Sequence, residues 1–239
     1  MKLIPVTYSG AIKDKVDTYN ALPSKDKLGT YWENTNDGSL TDVKEHIKKH
    51  YIDIQDYTCP YCRQKIIVDH KMVWDAEHII DKDSKPGFLF EPENLCVSCK
   101  DCNGLKKRRN VLGNPSRVTF PNKSEDYIFS HPHFDDYDEN VKVIHNPLFF
   151  IPRTKKGIAT IEICGLLRFL YLLSEYKNVP AEIGEQIGLA QKELMDAKTA
   201  SEQIVILSFI KERCDQGIKL ALHERFAHLL ASSEAVHEI

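Results

Sequence analysis

The chain has 239 residues, 42% of them hydrophobic and 28% charged, with a formal net charge of −3 and a pI near 6.4. That is enough apolar chain for one large domain or two modest ones, and no run approaches the roughly 18 apolar residues that a membrane span needs. The mild acidity argues against a protein coated in positive charge, and the start, MKLIPVTYSGAIKDK, lacks the apolar core of a secretion signal, so a cytoplasmic location is expected.

Residues 1–55 read as a helical N-terminal segment with polar breaks. Its clearest piece is TDVKEHIKKHYIDI, in which Thr41 is placed to cap a helix carrying Asp42 and Glu45 near its positive dipole end. A packing role is assigned to it. Residues 56–115 hold most of the cysteines, an extended stretch MVWDAEHII, a loop with Pro86, Gly87 and Pro92, and then KDCNGLKKRR, a basic segment able to start a helix. Residues 116–239 form a connecting region followed by helices. From 111 to 160, Gly113, Gly157 and five prolines imply an ordered connection with little long secondary structure. Beyond it, ICGLLRFLYLLSEYK, PAEIGEQIGLAQKELMDAK and a third stretch from Ser201 carry apolar residues at three- and four-residue spacing, with Pro180 opening the second. The expected class is therefore α+β and mostly helical, around a small embedded unit. Leu166, Leu170, Ile187, Leu194, Ile206 and Leu222 are expected in an internal bundle, with docking of a second copy or a partner as the alternative.

Seven cysteines is an odd number, and five of them crowd into residues 59–102. Cys59-Pro-Tyr-Cys62 and Cys99-Lys-Asp-Cys102 are two CxxC knuckles, a spacing that lets paired thiolates grip a tetrahedral, structural Zn2+. The 36 residues between Cys62 and Cys99 imply a compact insertion. Cys96 also makes a CxxC with Cys99, but the Cys99/Cys102 register is preferred because Asn103 then follows the knuckle directly. Cys164 and Cys214 fall in helical stretches and are expected in the core. Inside the insertion stand Asp75, Glu77 and His78, then Asn94, and after the second knuckle Asn103, Lys106 and Lys107. In a strand, Asp75 and Glu77 share one face and His78 lies on the other. His78 is able to be neutral at physiological pH and to accept a proton. Glu77 and Asn103 offer hard oxygen ligands suited to Mg2+ or Mn2+. Asn103 is expected to begin a helix on which Lys106 and Lys107, three and four residues on, share its face toward a nucleic-acid backbone, with Arg108 and Arg109 extending it. His70, His131, His133 and His145 are expected to be ordinary core or surface histidines, and Trp74, Phe88 and Phe90 to be packing residues.

The order Glu77-His78, Asn94, Asn103 between two flanking CxxC pairs resembles the HNH family of ββα-metal endonucleases, over about a quarter of the chain. The resemblance implies that His78 is the general base, that Glu77 and Asn103 bind the catalytic Mg2+ or Mn2+, and that Asn94 ties the loop that holds the base. It also implies that the strand ends at this point, so that Glu77 and His78 both reach the reacting centre, with Asp75 in support. DNA is the favoured substrate over RNA. HPHFDDYDEN and the later KKGIATIEICGLLRF are similar, more loosely, to the region C-terminal to this core in nuclease subunits of bacterial anti-phage systems of the Septu and retron-associated types. That likeness implies a defence role and an SMC-like or ABC-type ATPase partner. The rival reading is a zinc-stabilised nucleic-acid-binding or assembly module without hydrolysis, against which stand Glu77-His78 and Asn103. A third is a nuclease subunit inert until its partner arrives, acting on RNA.

Overall fold

The computed structural model describes residues 2–68, 71–145, 148–169 and 181–234. Its contacts divide the chain into two compact units, Met1–Val143 with Phe150–Leu166, and Ile144–Phe149 with Leu167–Ile239.

The first unit is organised by helix α2, Gly38–Ile54. Leu40, Val43, Ile47 and Tyr51, one stripe along it, are fully buried. The stripe packs on α1 (Gly10–Asn20) and on strands β1 (Trp74–His78) and β2 (Leu95–Cys99). Its cap is not Thr41: the Asp37 carboxylate accepts from the Leu40 N–H at 3.1 Å, which starts the helix earlier than expected. The strands pair antiparallel, from Trp74 opposite Cys99 to His78 opposite Leu95. The extended stretch is shorter than MVWDAEHII suggests, because Lys71–Val73 is a 3-10 turn. Helix α3, Lys100–Lys106, comes directly after β2 and packs against both strands, giving a ββα unit. Trp74, Phe88 and Phe90 are buried, as expected. The Gln55 amide clasps β2 to the end of α2, donating to Val97 O at 2.8 Å and accepting from Val97 N at 3.0 Å.

The connecting region is more regular than its prolines suggest. It holds α4 (Tyr137–Asn140), strands β3 (Val141–His145) and β4 (Leu148–Pro152), which pair with each other, and α5 (Lys155–Ile163). The apolar spacing starts a helix at Ile163, yet one ends there. Gly165 adopts φ +60°, its N–H bonds Glu162 O and the Leu166 N–H bonds Ile161 O, a Schellman stop that the flanking apolar run conceals. Residues 170–180, which carry the rest of that expected helix, and Leu170 with them, lie outside the described residues, as does His70.

In the second unit α6 (Ala181–Asp196) packs on α7 (Ala200–Glu234). Thr199 and Glu202 form a capping box at the start of α7, with Glu202 N to Thr199 Oγ1 at 3.2 Å and Thr199 N to Glu202 Oε2 at 3.0 Å. Ile187 and Leu194 are buried as expected and Ile206 is half-buried, whereas Leu166 is buried in the first unit; Leu222 falls outside the described side chains. No helix among the described residues is long and apolar enough to cross a membrane.

The HPHFDDYDEN segment is an inner brace of the first unit. His131 and His133 are buried, His133 Nε2 meets Leu95 O at 2.7 Å, and His131 stacks on Phe134. Burial lowers the pKa of both imidazoles. Unfolded histidine titrates near ~6.5, so the unfolded chain takes up protons first as pH falls below that value, and stability present above it is lost toward acid. The urea midpoint of the zinc-loaded protein is expected to drop between pH ~7.5 and ~5.5. An unchanged midpoint would mean that these rings are solvated.

Candidate functional site

The sulfurs of Cys59, Cys62, Cys99 and Cys102 all lie within 4.8 Å of one another, and all four residues are buried. A tetrahedral zinc with Zn–S of about 2.3 Å puts its sulfurs about 3.8 Å apart, and the Cys62 and Cys99 sulfurs are 3.8 Å apart. The donor set and its spacing therefore fit a single structural metal ion. The first knuckle is a tight turn in which Arg63 N bonds Cys59 O at 2.9 Å and Arg63 takes φ +58°. Cys96 is outside the cluster, as the preferred register requires: it sits buried opposite Glu77, 3.9 Å from the Tyr61 hydroxyl, and burial pushes its thiol well above the usual range.

Strand alternation sends both carboxylates of β1 toward α3. Asp75 accepts from Asn103 Nδ2 at 2.9 Å and from Lys100 Nζ at 3.3 Å. Glu77 is buried, and Lys106 Nζ lies 2.6 Å from its Oε1 while donating to His78 O at 3.1 Å. Burial pushes the Glu77 carboxyl up, against the pull of Lys106 and of the Tyr61 hydroxyl, 3.4 Å away. Here the expected basic face needs correcting. Helix α3 begins at Lys100, not at Asn103, and its contacts turn Lys100, Asn103 and Lys106 toward the carboxylates of β1, so Lys106 is fully buried instead of reaching outward. Lys107, past the helix end at φ +45°, is exposed with Arg108 and Arg109. Arg108 pairs with Asp83, and Arg109 donates to Glu162 O at 2.7 Å.

His78 is the last residue of β1 and is buried. Its Nε2 meets Leu89 O at 3.0 Å, and the Trp32 ring stands edge-on to it at 4.6 Å. Burial is the main cause that lowers its pKa, to about 3, with Lys82 and Lys106 adding to it and the Leu89 carbonyl opposing. Asn94 is fully buried and staples the loop after β1: its Oδ1 accepts from Ile80 N at 2.7 Å, and its Nδ2 donates to Ile80 O at 3.2 Å and Phe88 O at 3.1 Å. It thereby fixes the turn that presents Leu89 O to His78. Trp32 reaches the site because its 3-10 turn, Gly29–Glu33, runs so close to residues 82 and 83 that a Cβ on Gly29 would stand 2.8 Å from Lys82 O.

Asp75, Glu77, His78 and Asn103 all line one cleft of about 950 Å3 in the first unit, so the structure brings these sequence-chosen residues together. Asn94 stands behind it. Sequence reasoning missed Trp32, the Leu89 carbonyl, and Tyr61, whose place inside the first CxxC was its only signal.

Among known proteins the chain is similar to the Septu protein PtuB of Bacillus thuringiensis, 33% identical over 63 residues, which are 26% of this chain and 24% of that protein. The match thus spans about a quarter of that relative. No family model matches the chain, and no solved structure matches it.

Cys102→Ser is expected to lose tightly bound zinc and Cys96→Ser to keep it; elemental analysis finding equal zinc in both would contradict the assigned cluster. Lys106→Ala strands a buried carboxylate and is expected to cost about 3–5 kcal/mol in urea unfolding. Lys107→Ala, at an exposed position, should stay within about 0.5 kcal/mol of the parent. Equal effects would place Lys106 at the surface.

Proposed function

We propose that the chain is a metal-dependent nuclease of the HNH kind that hydrolyses phosphodiester bonds, with DNA the favoured substrate. The observation that carries this reading is the meeting on one cleft of an oriented, neutral imidazole with the oxygen-bearing side chains of Asp75, Glu77 and Asn103. Hydrolysis needs a water stripped of its proton, charge stabilisation on the phosphate and leaving oxygen, and a scaffold that holds them in line.

The residues divide these tasks. With Nε2–H donated to Leu89 O, Nδ1 of His78 keeps its lone pair and accepts the proton of the attacking water. An anionic phosphate entering the cleft raises the affinity of that imidazole for the proton. Asn103 spends its amide nitrogen on Asp75, which leaves Oδ1 as a ligand, and Glu77, with Oε1 held by Lys106, keeps Oε2. This hard oxygen set fits Mg2+ or Mn2+, which when bound supplies Lewis-acid stabilisation of the phosphate and the leaving oxygen. Asn94 keeps the base in place through the loop that carries Leu89. The partial likeness to the Septu protein PtuB supports a role in bacterial anti-phage defence, and the looser resemblance of the HPHFDDYDEN and KKGIATIEICGLLRF segments implies an SMC-like or ABC-type ATPase partner.

One observation favours the second reading, a zinc-stabilised binding module: the Glu77 carboxylate is already matched by Lys106 at 2.6 Å. His78→Ala separates the two. In the nuclease, cleavage of plasmid in Mg2+ or Mn2+ falls by ~10²- to 10⁴-fold with zinc content and folded structure retained. Cleavage by the variant at the parent rate would remove His78 from the mechanism.

A further inference from the structure

The cleft has a wall that the nuclease reading does not use. Helix α2 contributes Thr41, Lys44, Glu45 and Lys48, at spacings of three, four and seven, the side neighbouring its buried stripe. Helix α3 contributes Lys100, Asn103 and Gly104, and Lys107 just past its end adds a fourth residue at the same spacing from Lys100. Two helix faces of matched period, each bearing two lysines, thus border a floor made by β1.

The charges sort unequally. Glu33 and Asp83 share Lys82, Asp83 also takes Arg108, Asp75 takes Lys100, and Glu77 takes Lys106. Those four carboxylates are matched within the protein, and Glu45 and Asp81 also line the cleft. Lys44 lies over the Trp32 ring, 5.5 Å from its centroid, and that ring stands edge-on to His78. A lysine at this point is one aromatic ring away from the proposed base. Gly104 is the other unexplained feature: it sits in the interior of α3, where glycine is disfavoured relative to alanine, yet a Cβ there would meet nothing within 4 Å. Nothing inside the protein requires the missing side chain. A ligand whose backbone passed close to the helix would.

We infer that a nucleic-acid strand lies along the cleft between α2 and α3, its phosphates gripped from one side by Lys44 and Lys48 and from the other by Lys107, passing over Gly104. The N-terminal helix is then half of the substrate site as well as a packing element. This rests on the nuclease reading for the identity of the ligand. The chemistry recognised is the phosphodiester backbone, so the lysines of both walls act without regard to base sequence.

The test is binding of fluorescently labelled single-stranded and duplex DNA to the full-length His78→Ala protein, in chelator, across a salt series. Adding Lys44→Gln and Lys48→Gln is expected to weaken binding by roughly 10-fold or more at low salt and to flatten the log–log salt slope by about 1 to 2, as two lost phosphate contacts require. Glu45→Gln should tighten binding, and Gly104→Ala should weaken it while melting no lower than the parent. Thermal melting and zinc content confirm that each variant is folded. Unchanged affinity and slope in the α2 double variant, with Lys107→Gln still weakening binding, would overturn the two-walled cleft and leave the nuclease reading standing. No DNA binding by the His78→Ala parent at any salt would overturn both.

Discussion

Four sulfurs that must meet at a point decide where the remaining parts of the first unit lie. Cys99 is the last residue of β2, the cross-strand partner of Trp74 and the residue from which α3 departs. Holding it against Cys59 and Cys62 fixes the angle between strand and helix and ties both to the end of α2 through Gln55. A two-stranded sheet with a seven-residue helix buries too little to be stable by itself. A metal ion held by the four cysteines would add to the packing against α2, by on the order of 10 kcal/mol as in small zinc domains. The carboxylates of β1 and the amide of Asn103 meet because this junction is rigid.

The same unit spends some of that stability on a buried ion pair. Replacing Glu77 and Lys106 with apolar side chains would be close to neutral for folding by general experience with buried pairs. What the pair adds is position. One ammonium holds a Glu77 oxygen and the backbone carbonyl of His78, so adjacent residues that strand geometry points to opposite faces are referred to a single charge. On the far side, Trp32 and Leu89 O confine the imidazole, and behind them Asn94 uses three hydrogen bonds to keep the loop from relaxing.

Legibility in the sequence tracks the range of the physics. The cysteine cluster is readable because metal geometry is local and its spacing is narrow; even the contest with Cys96 resolves on the position of Asn103. Asn94 is readable for the same reason, a side-chain amide bonding backbone within a single loop. Lys106 is not. Whether it faces solvent or Glu77 depends on which side of α3 docks on β1, a tertiary contact that spacing within the helix does not fix. The role of α2 is legible as packing, from Leu40, Val43, Ile47 and Tyr51, but its cleft-facing side is polar like any solvated face and acquires meaning only once α3 stands opposite. The stop at Gly165 is hidden because the apolar pattern continues through it.

The central claim is that this cleft performs metal-assisted hydrolysis with zinc in a purely structural place. The most direct measurement is cleavage of plasmid and linear DNA by the zinc-loaded wild-type protein, with and without added Mg2+ or Mn2+, with total RNA in parallel and bound zinc measured in every sample. Any neighbouring gene product that co-purifies is included as a second arm. The account predicts phosphodiester cleavage that appears with Mg2+ or Mn2+ and stops on their removal while zinc stays bound. Intact nucleic acid in both arms, with the protein folded, zinc-loaded and binding DNA, would contradict it and identify the cleft as a binding module.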